Sequence, residues 1–192
     1  MKMIIAVTFL GILMQVFAKG CQLKPAVANF KYEEYSKVRH FYVTHSKFKP
    51  EENICEEFNF IQFQSDRVNT LVSEVYKTEG KEVRLIYQCT DTAKKGNPGQ
   101  FSIECDVWGK GNVKKVKLET SIIATDYKNY IFLHTCFSDG KEEMLVMQKE
   151  NEGKDNTVKD VAARLSLSLD SWFSRKNVNC DDIKKKLVER ST

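Results

Sequence analysis

Ile122 to Cys136 reads IIATDYKNYIFLHTC: an apolar run, an Asp-Tyr reversal, a second apolar run and a cysteine. Runs of β-branched and aromatic residues bounded by such a break read as strands. Aspartate suits the break because its side chain accepts backbone N–H groups there. The stretch therefore predicts two neighbouring antiparallel strands joined by a tight turn at Asp126-Tyr127. The fold then depends on how often the chain repeats this unit.

Upstream, VKKVKLETSII (113–123) alternates: Val116, Leu118, Thr120 and Ile122 share one face, and Lys115, Lys117 and Glu119 the other. That is a strand with one wet side. FSIECDV sets Phe101, Ile103, Cys105 and Val107 on one face, and VRLIYQC does the same for Val83, Leu85, Tyr87 and Cys89. Cys89 and Cys105 are equidistant from Asn97, so a hairpin folded there brings the two thiols opposite each other. Directly opposed residues lie about 4.5 to 5.5 Å apart, within disulfide reach. VRHFYVTH (38–45), CEEFNFIQF (55–63) and VNTLVSEVY (68–76) precede these strands, and EMLVMQ (143–148) follows the opening stretch.

Eight short strands with short connections make an antiparallel meander. Closing it into an eight-stranded up-and-down barrel removes both edges. Two stacked sheets are the alternative arrangement of the same strands. After Asn156 the period changes: Val158, Val161, Ala162, Leu165, Leu169 and Trp172 recur at helical spacing, predicting one helix or two short ones on the barrel's outer wall. The fold class is all-β with a C-terminal helix.

The first eighteen residues, MKMIIAVTFLGILMQVFA, have a basic start, an apolar run and small residues at Val16 and Ala18. They read as a secretory signal, leaving residues 19–192 as one domain. No other stretch has the length of a membrane span. The net charge of +4 mixes lysines with carboxylates, which is poor support for nucleic-acid binding. Six dispersed cysteines, Cys21, Cys55, Cys89, Cys105, Cys136 and Cys180, suit three disulfides in an exported chain, with fifteen pairings open in principle.

Gly-x-Ser-x-Gly, His-Glu-x-x-His, P-loop and dinucleotide fingerprints do not occur. His40, His45 and His134 lack the spacing of a zinc helix and read as hydrogen-bonded wall positions. Glu56-Glu57 and Glu142-Glu143 read as solvated surface charge. A binding protein, not an enzyme, is expected, with no metal and no cofactor.

The signal, the meander, TDYKNY and the late helix together resemble the lipocalins. That family carries Thr-Asp-Tyr between its sixth and seventh strands, where Thr125-Asp126-Tyr127 falls. Its Gly-x-Trp motif is degraded here, with Phe41 in place of the tryptophan. KPAVANF, FYVTHSK, GQFSIEC, TSIIATDYKNY and DSWFSRKNVNC are similar to recurring blocks of the triatomine salivary lipocalins, the triabin, pallidipin, triplatin and triafestin group. The resemblance implies Cys21–Cys136 and Cys55–Cys180 bridges, so that Cys136 pins its strand to an N-terminal segment crossing the barrel's base.

The same resemblance implies a secreted monomer that impairs host haemostasis. Haem-binding members carry a histidine after the second cysteine, and none lies between Cys55 and Cys89. Members that capture thromboxane read Cys-Arg-Glu-Tyr where this chain has Cys55-Glu56-Glu57-Phe58. Glu56 has the wrong sign for an anionic ligand, which leaves Arg39 or Arg84 as candidate cations. Two expectations follow. The first is a protein-binding coagulation inhibitor directed, as in the triafestins, at factor XII and kininogen. The alternative is a scavenger of thromboxane, a leukotriene or a biogenic amine that inhibits platelet aggregation, with Arg39, Phe58, Phe60, Tyr76, Tyr87, Tyr130 and Phe132 as candidate ligand-binding residues.

Overall fold

A computed structural model describes residues 20–48, 54–64, 66–78, 81–109, 113–150 and 156–181. The signal segment lies outside the described residues. So do the Glu79-Gly80 turn and most of the C-terminal tail. Among the described residues, no helix is long and apolar enough to cross a membrane.

Eight strands form the barrel: β1 (His40–Ser46), β2 (Ile54–Phe63), β3 (Arg67–Thr78), β4 (Lys81–Ala93), β5 (Gln100–Trp108), β6 (Lys114–Thr125), β7 (Tyr130–Phe137) and β8 (Glu142–Gln148). Each pairs antiparallel with the next, and β1 pairs with both β2 and β8. That second pairing closes the sheet, so the two-sheet alternative is excluded and neither edge is left open. Bulges interrupt β1 between Val43 and His45, β2 between Phe60 and Gln62, and β6 between Ile122 and Ala124. Bulges sharpen local twist, which a small closed sheet needs.

The reversal after β6 is held by side chains. Asp126 Oδ1 accepts backbone N–H bonds from Lys128, Asn129 and Tyr130, at 2.9, 2.7 and 3.1 Å. Thr125 Oγ1 accepts from the Tyr127 N–H, and Tyr127 adopts a φ of 63°. Burial raises the Asp126 carboxyl, but these backbone donors outweigh it and hold the group below its ordinary range. The Tyr127 hydroxyl then accepts from the Lys31 N–H at 2.9 Å, which fastens the N-terminal segment to the turn.

That segment seals one end. Phe30 packs against Tyr127 and Phe101, and Tyr35 against Phe60, Phe63 and Phe101. Tyr35 comes from the one-turn helix α1 (Tyr32–Tyr35), too short to leave a helical period in the sequence. Gly99, at φ +87°, gives the segment room: a Cβ there would meet Ala26 Cβ at 2.9 Å.

Three disulfides are present. Cys89–Cys105 joins directly opposed residues of β4 and β5. Cys21–Cys136 and Cys55–Cys180 close long loops, with Cα separations of 5.4 and 5.7 Å. The Cys21–Cys136 bond does not lie at the sealed end, as the sequence reading has it. Cys136 is near the far end of β7, and the chain from Cys21 runs down the outer wall through Lys24, bonded to His134, and Val27, bonded to Ile122, before Phe30 turns under the barrel.

Helix α2 (Asn156–Arg164) lies on the outer wall. Its Val158, Val161 and Ala162 are buried against Ile123, Phe132, Met144 and Val146. Burying a valine side chain stabilises by about 1.5 to 3 kcal/mol. The helix ends at Arg164, and Leu169 and Trp172 reach the same cluster from a 3-10 turn and the extended chain after it. A two-residue strand, β9 (Phe173–Ser174), then pairs with the end of β1.

Candidate ligand-binding site

Strand alternation sends every second side chain inward, and all eight strands contribute to one internal cavity of about 320 Å³. Its walls are Phe58 and Phe60 (β2), Val72 (β3), Tyr87 and Cys89 (β4), Ile103 and Cys105 (β5), Leu118 and Ile122 (β6), and Leu133 (β7). Tyr35 and Phe101 floor it. Phe48, Ile54, Phe137 and Phe173 line the opposite end, where Phe48 is 64% exposed. That end is the mouth.

Four carboxylates point into this space: Glu56, Glu74, Asp91 and Glu143. No lysine, arginine or histidine is among the described lining residues. The expectation that Glu56 and Glu143 are solvated surface charge is corrected by this placement. Glu56 has the parity of Phe58 and Phe60, so it must face inward with them. Its neighbour Glu57 faces out, but not to water: it bonds the buried Arg175 at 3.2 Å, and that guanidinium stacks over Tyr42 and donates to the Glu56 carbonyl.

The apolar enclosure makes ionisation costly. Burial, reinforced by Glu74 and Glu143, pushes Glu56 up to about 8. Burial pushes Asp91 to about 7, although Thr70 Oγ1 donates to its Oδ2 at 2.9 Å. Glu74 is raised by burial, and the Tyr87 hydroxyl, donating at 2.7 Å, opposes that rise. Glu143 is raised by burial while accepting from Ser46 Oγ and the backbone N–H groups of Phe48 and Met144.

These groups bind more protons in the folded state than in the unfolded chain, so stability falls as pH rises towards their folded pKa values. His45, lowered to about 4 by burial, acts in the opposite sense but only below about 6.5. Between pH 6.5 and 8 the carboxylates act alone. The ligand-free protein is therefore expected to lose about 2 kcal/mol across that window, read as a falling midpoint of denaturant unfolding. A midpoint that is flat or rises would contradict the buried carboxylate cluster.

Of the candidate ligand-binding residues, Phe58, Phe60 and Tyr87 line the cavity. Tyr130 and Phe132 do not. They face outward, under α2, because Leu133 and Thr135 take the inward parity of β7. Arg39 is exposed beyond the sealed end, donating to the carbonyls of Ser36 and Val38 and lying over Phe63. Arg84 is exposed on β4, and Tyr76 is half-buried and not part of the lining. The carboxylates and Thr70 were the residues that sequence reasoning missed. Extending the Tyr87–Cys89 face by two residues reaches Asp91.

His134 accepts from the Lys24 N–H at 3.2 Å on the outer wall, next to Cys21 and Cys136. Both of those sulfurs are bonded to each other, so they offer no thiolate to a metal.

A family model described as Triabin matches residues 14–161. Pallidipin of Meccus pallidipennis is 46% identical, with 96% of this chain and 100% of that protein covered. The platelet inhibitor triplatin-2 of Triatoma infestans is 34% identical over 94% and 100% of the two chains. Triafestin-2 of the same insect is 27% identical over 93% and 92%. Among solved structures, the tryptamine complex of the amine-binding protein of Rhodnius prolixus superposes with a TM-score of 0.69 at 19% identity, covering 88% of this chain and 94% of that one. A leukotriene C4 complex of the protein LTBP1 gives 0.55 at 20% identity, over 81% and 94%. These two share the barrel fold. With its closed eight-stranded barrel, its Thr-Asp-Tyr turn and near full-length similarity to pallidipin, the chain belongs to the triabin family of triatomine salivary lipocalins.

Proposed function

We propose that this protein is secreted in saliva and acts as a monomer. It sequesters a small mediator of host platelet activation, one molecule per barrel, by binding without turnover. The observation that carries the reading is the internal cavity of about 320 Å³, floored by aromatic rings and open at one end. Cavities of this size suit one small ligand. A relative named as a platelet inhibitor and barrels solved with tryptamine or leukotriene C4 support the same reading. Three disulfides suit an oxidising extracellular setting.

Direct binding of factor XII or kininogen has weaker support. The triafestin match is far below the pallidipin one. Two exposed lysines of β6 that an acidic plasma protein could meet are paired with carboxylates of β5, Lys115 with Asp106 and Lys117 with Glu104.

Calorimetric titration with a stable thromboxane mimetic, leukotriene C4, serotonin and tryptamine tests the reading, alongside platelet aggregation. At least one compound is expected to bind one-to-one at micromolar or tighter Kd, with aggregation suppressed in proportion to free protein. No heat from any of them, together with prolonged contact-activated clotting, would replace mediator capture with the plasma-protein alternative.

A further inference from the structure

We infer that the rim around the barrel's mouth is a docking face for an anionic phospholipid bilayer. Phe48, Trp108 and Val113 enter the headgroup zone, and lysines between them meet the lipid charge. This goes beyond mediator capture and holds whichever compound occupies the cavity.

The most exposed large apolar side chains among the described residues are Phe48, Ile61 at 62%, Trp108 at 51% and Val113 at 43%. Exposed apolar residues scattered singly are ordinary. These are not scattered, because all but Ile61 stand at one end. β5 runs from Phe101 at the floor to Trp108, so Trp108 closes the strand at the mouth, and Val113 precedes β6 at the same end. Phe48 follows β1 there and lines the opening. The inward parity of β5 belongs to Ile103, Cys105 and Val107, which leaves Trp108 pointing out. Ile61 sits at the β2 bulge, towards the sealed end.

In the closed ring β1 and β5 stand opposite each other, separated by β2 to β4 on one side and by β6 to β8 on the other. Phe48 and Trp108 therefore flank the mouth from opposite sides. Apolar side chains so placed suit a flat partner laid across the opening. A peptide groove would gather them on one side.

The charge around the rim is basic. Lys47, Lys115 and Lys141 are paired with Glu142, Asp106 and Asp139. Lys77, Lys81 and Lys114 are exposed at the same end and carry no ion pair among the described residues. At a bilayer surface, aromatic rings settle at headgroup depth and ammonium groups meet anionic lipid. A sulfated sugar chain would use the lysines and leave the apolar side chains in water, whereas a bilayer uses both. Docked this way, the mouth opens onto the membrane, and an apolar compound passes from lipid to Phe48 and Phe173 without crossing water.

The test sediments the full mature chain with vesicles of phosphatidylcholine alone and of phosphatidylcholine containing phosphatidylserine, at low and at high salt, with no mediator present. Trp172 packs on the outer wall, so Trp172→Phe leaves Trp108 as the remaining tryptophan reporter. Binding to the mixed vesicles is expected to exceed that to phosphatidylcholine by roughly tenfold or more. High salt should weaken it, because exposed charges are screened, and Trp108 emission should shift to the blue. Trp108→Ser is expected to weaken binding by roughly tenfold, and Ile61→Ser to leave it unchanged. Lys81→Glu combined with Lys114→Glu should abolish the preference for phosphatidylserine. All four residues are exposed, so melting temperatures should hold; if Trp108→Ser does not fold, the emission shift in Trp172→Phe decides its role. No binding to the mixed vesicles, an emission that does not move, or equal losses in Ile61→Ser and Trp108→Ser would overturn the docking face. Equal binding to phosphatidylcholine alone would overturn the choice of an anionic lipid.

Discussion

Replacing Cys55 and Cys180 together with alanine is expected to lower unfolding stability by about 4 to 5 kcal/mol. The bond joins residues 125 apart in sequence, so its loss frees a long loop in the unfolded chain. Both sulfurs are buried, packed with Val75 and Val178. For a chain of this length the melting temperature should drop by roughly 10 to 20 °C. Cys89–Cys105 closes only 16 residues, and its removal should cost about 3 kcal/mol. Scanning calorimetry of the two double variants checks the order. A smaller loss at Cys55–Cys180 would mean that Arg175 and β9 already hold the C-terminal segment to β1 and β2 without the covalent bond. Stability and function meet at this point, because Cys55 precedes Glu56 on the strand that shapes the mouth.

Val72→Trp is expected to reduce mediator binding at least a hundredfold, about 3 kcal/mol of binding free energy. Val72 projects into the middle of the cavity beside Cys89 and Cys105 and is almost fully buried. An indole there occupies the space a ligand ring would use. Since that space is already open, the overpacking cost should stay near the low end of about 1 to 3 kcal/mol, and the melting curve should remain cooperative. Binding that survives in a folded variant would place the ligand outside the barrel.

Much of the barrel was legible because its strands obey a two-residue period that one-sided burial imposes. The hairpin register that opposes Cys89 and Cys105 followed from counting to Asn97. The Thr125-Asp126-Tyr127 reversal followed from what an aspartate side chain does in a turn. The period failed on β7, where six consecutive residues from Ile131 to Cys136 are buried. One face of β7 meets the cavity, and the other is covered by α2 and the N-terminal segment. With both faces apolar, alternation disappears, and Tyr130 and Phe132 were assigned inward when they pack outward. The carboxylates failed for a different reason. Charged side chains are ordinarily solvated, so Glu56 and Glu143 read as surface until the barrel's closure fixed their parity. Short elements such as α1 and β9 leave too few residues for any period.

The central claim is that a small mediator of platelet activation is held inside this barrel. A crystal structure of the protein grown with whichever compound of the panel binds tests it most directly. The account predicts density for one molecule between Phe58, Tyr87 and the Cys89–Cys105 bridge. Density confined to the outer wall, with the interior holding only solvent, would contradict it.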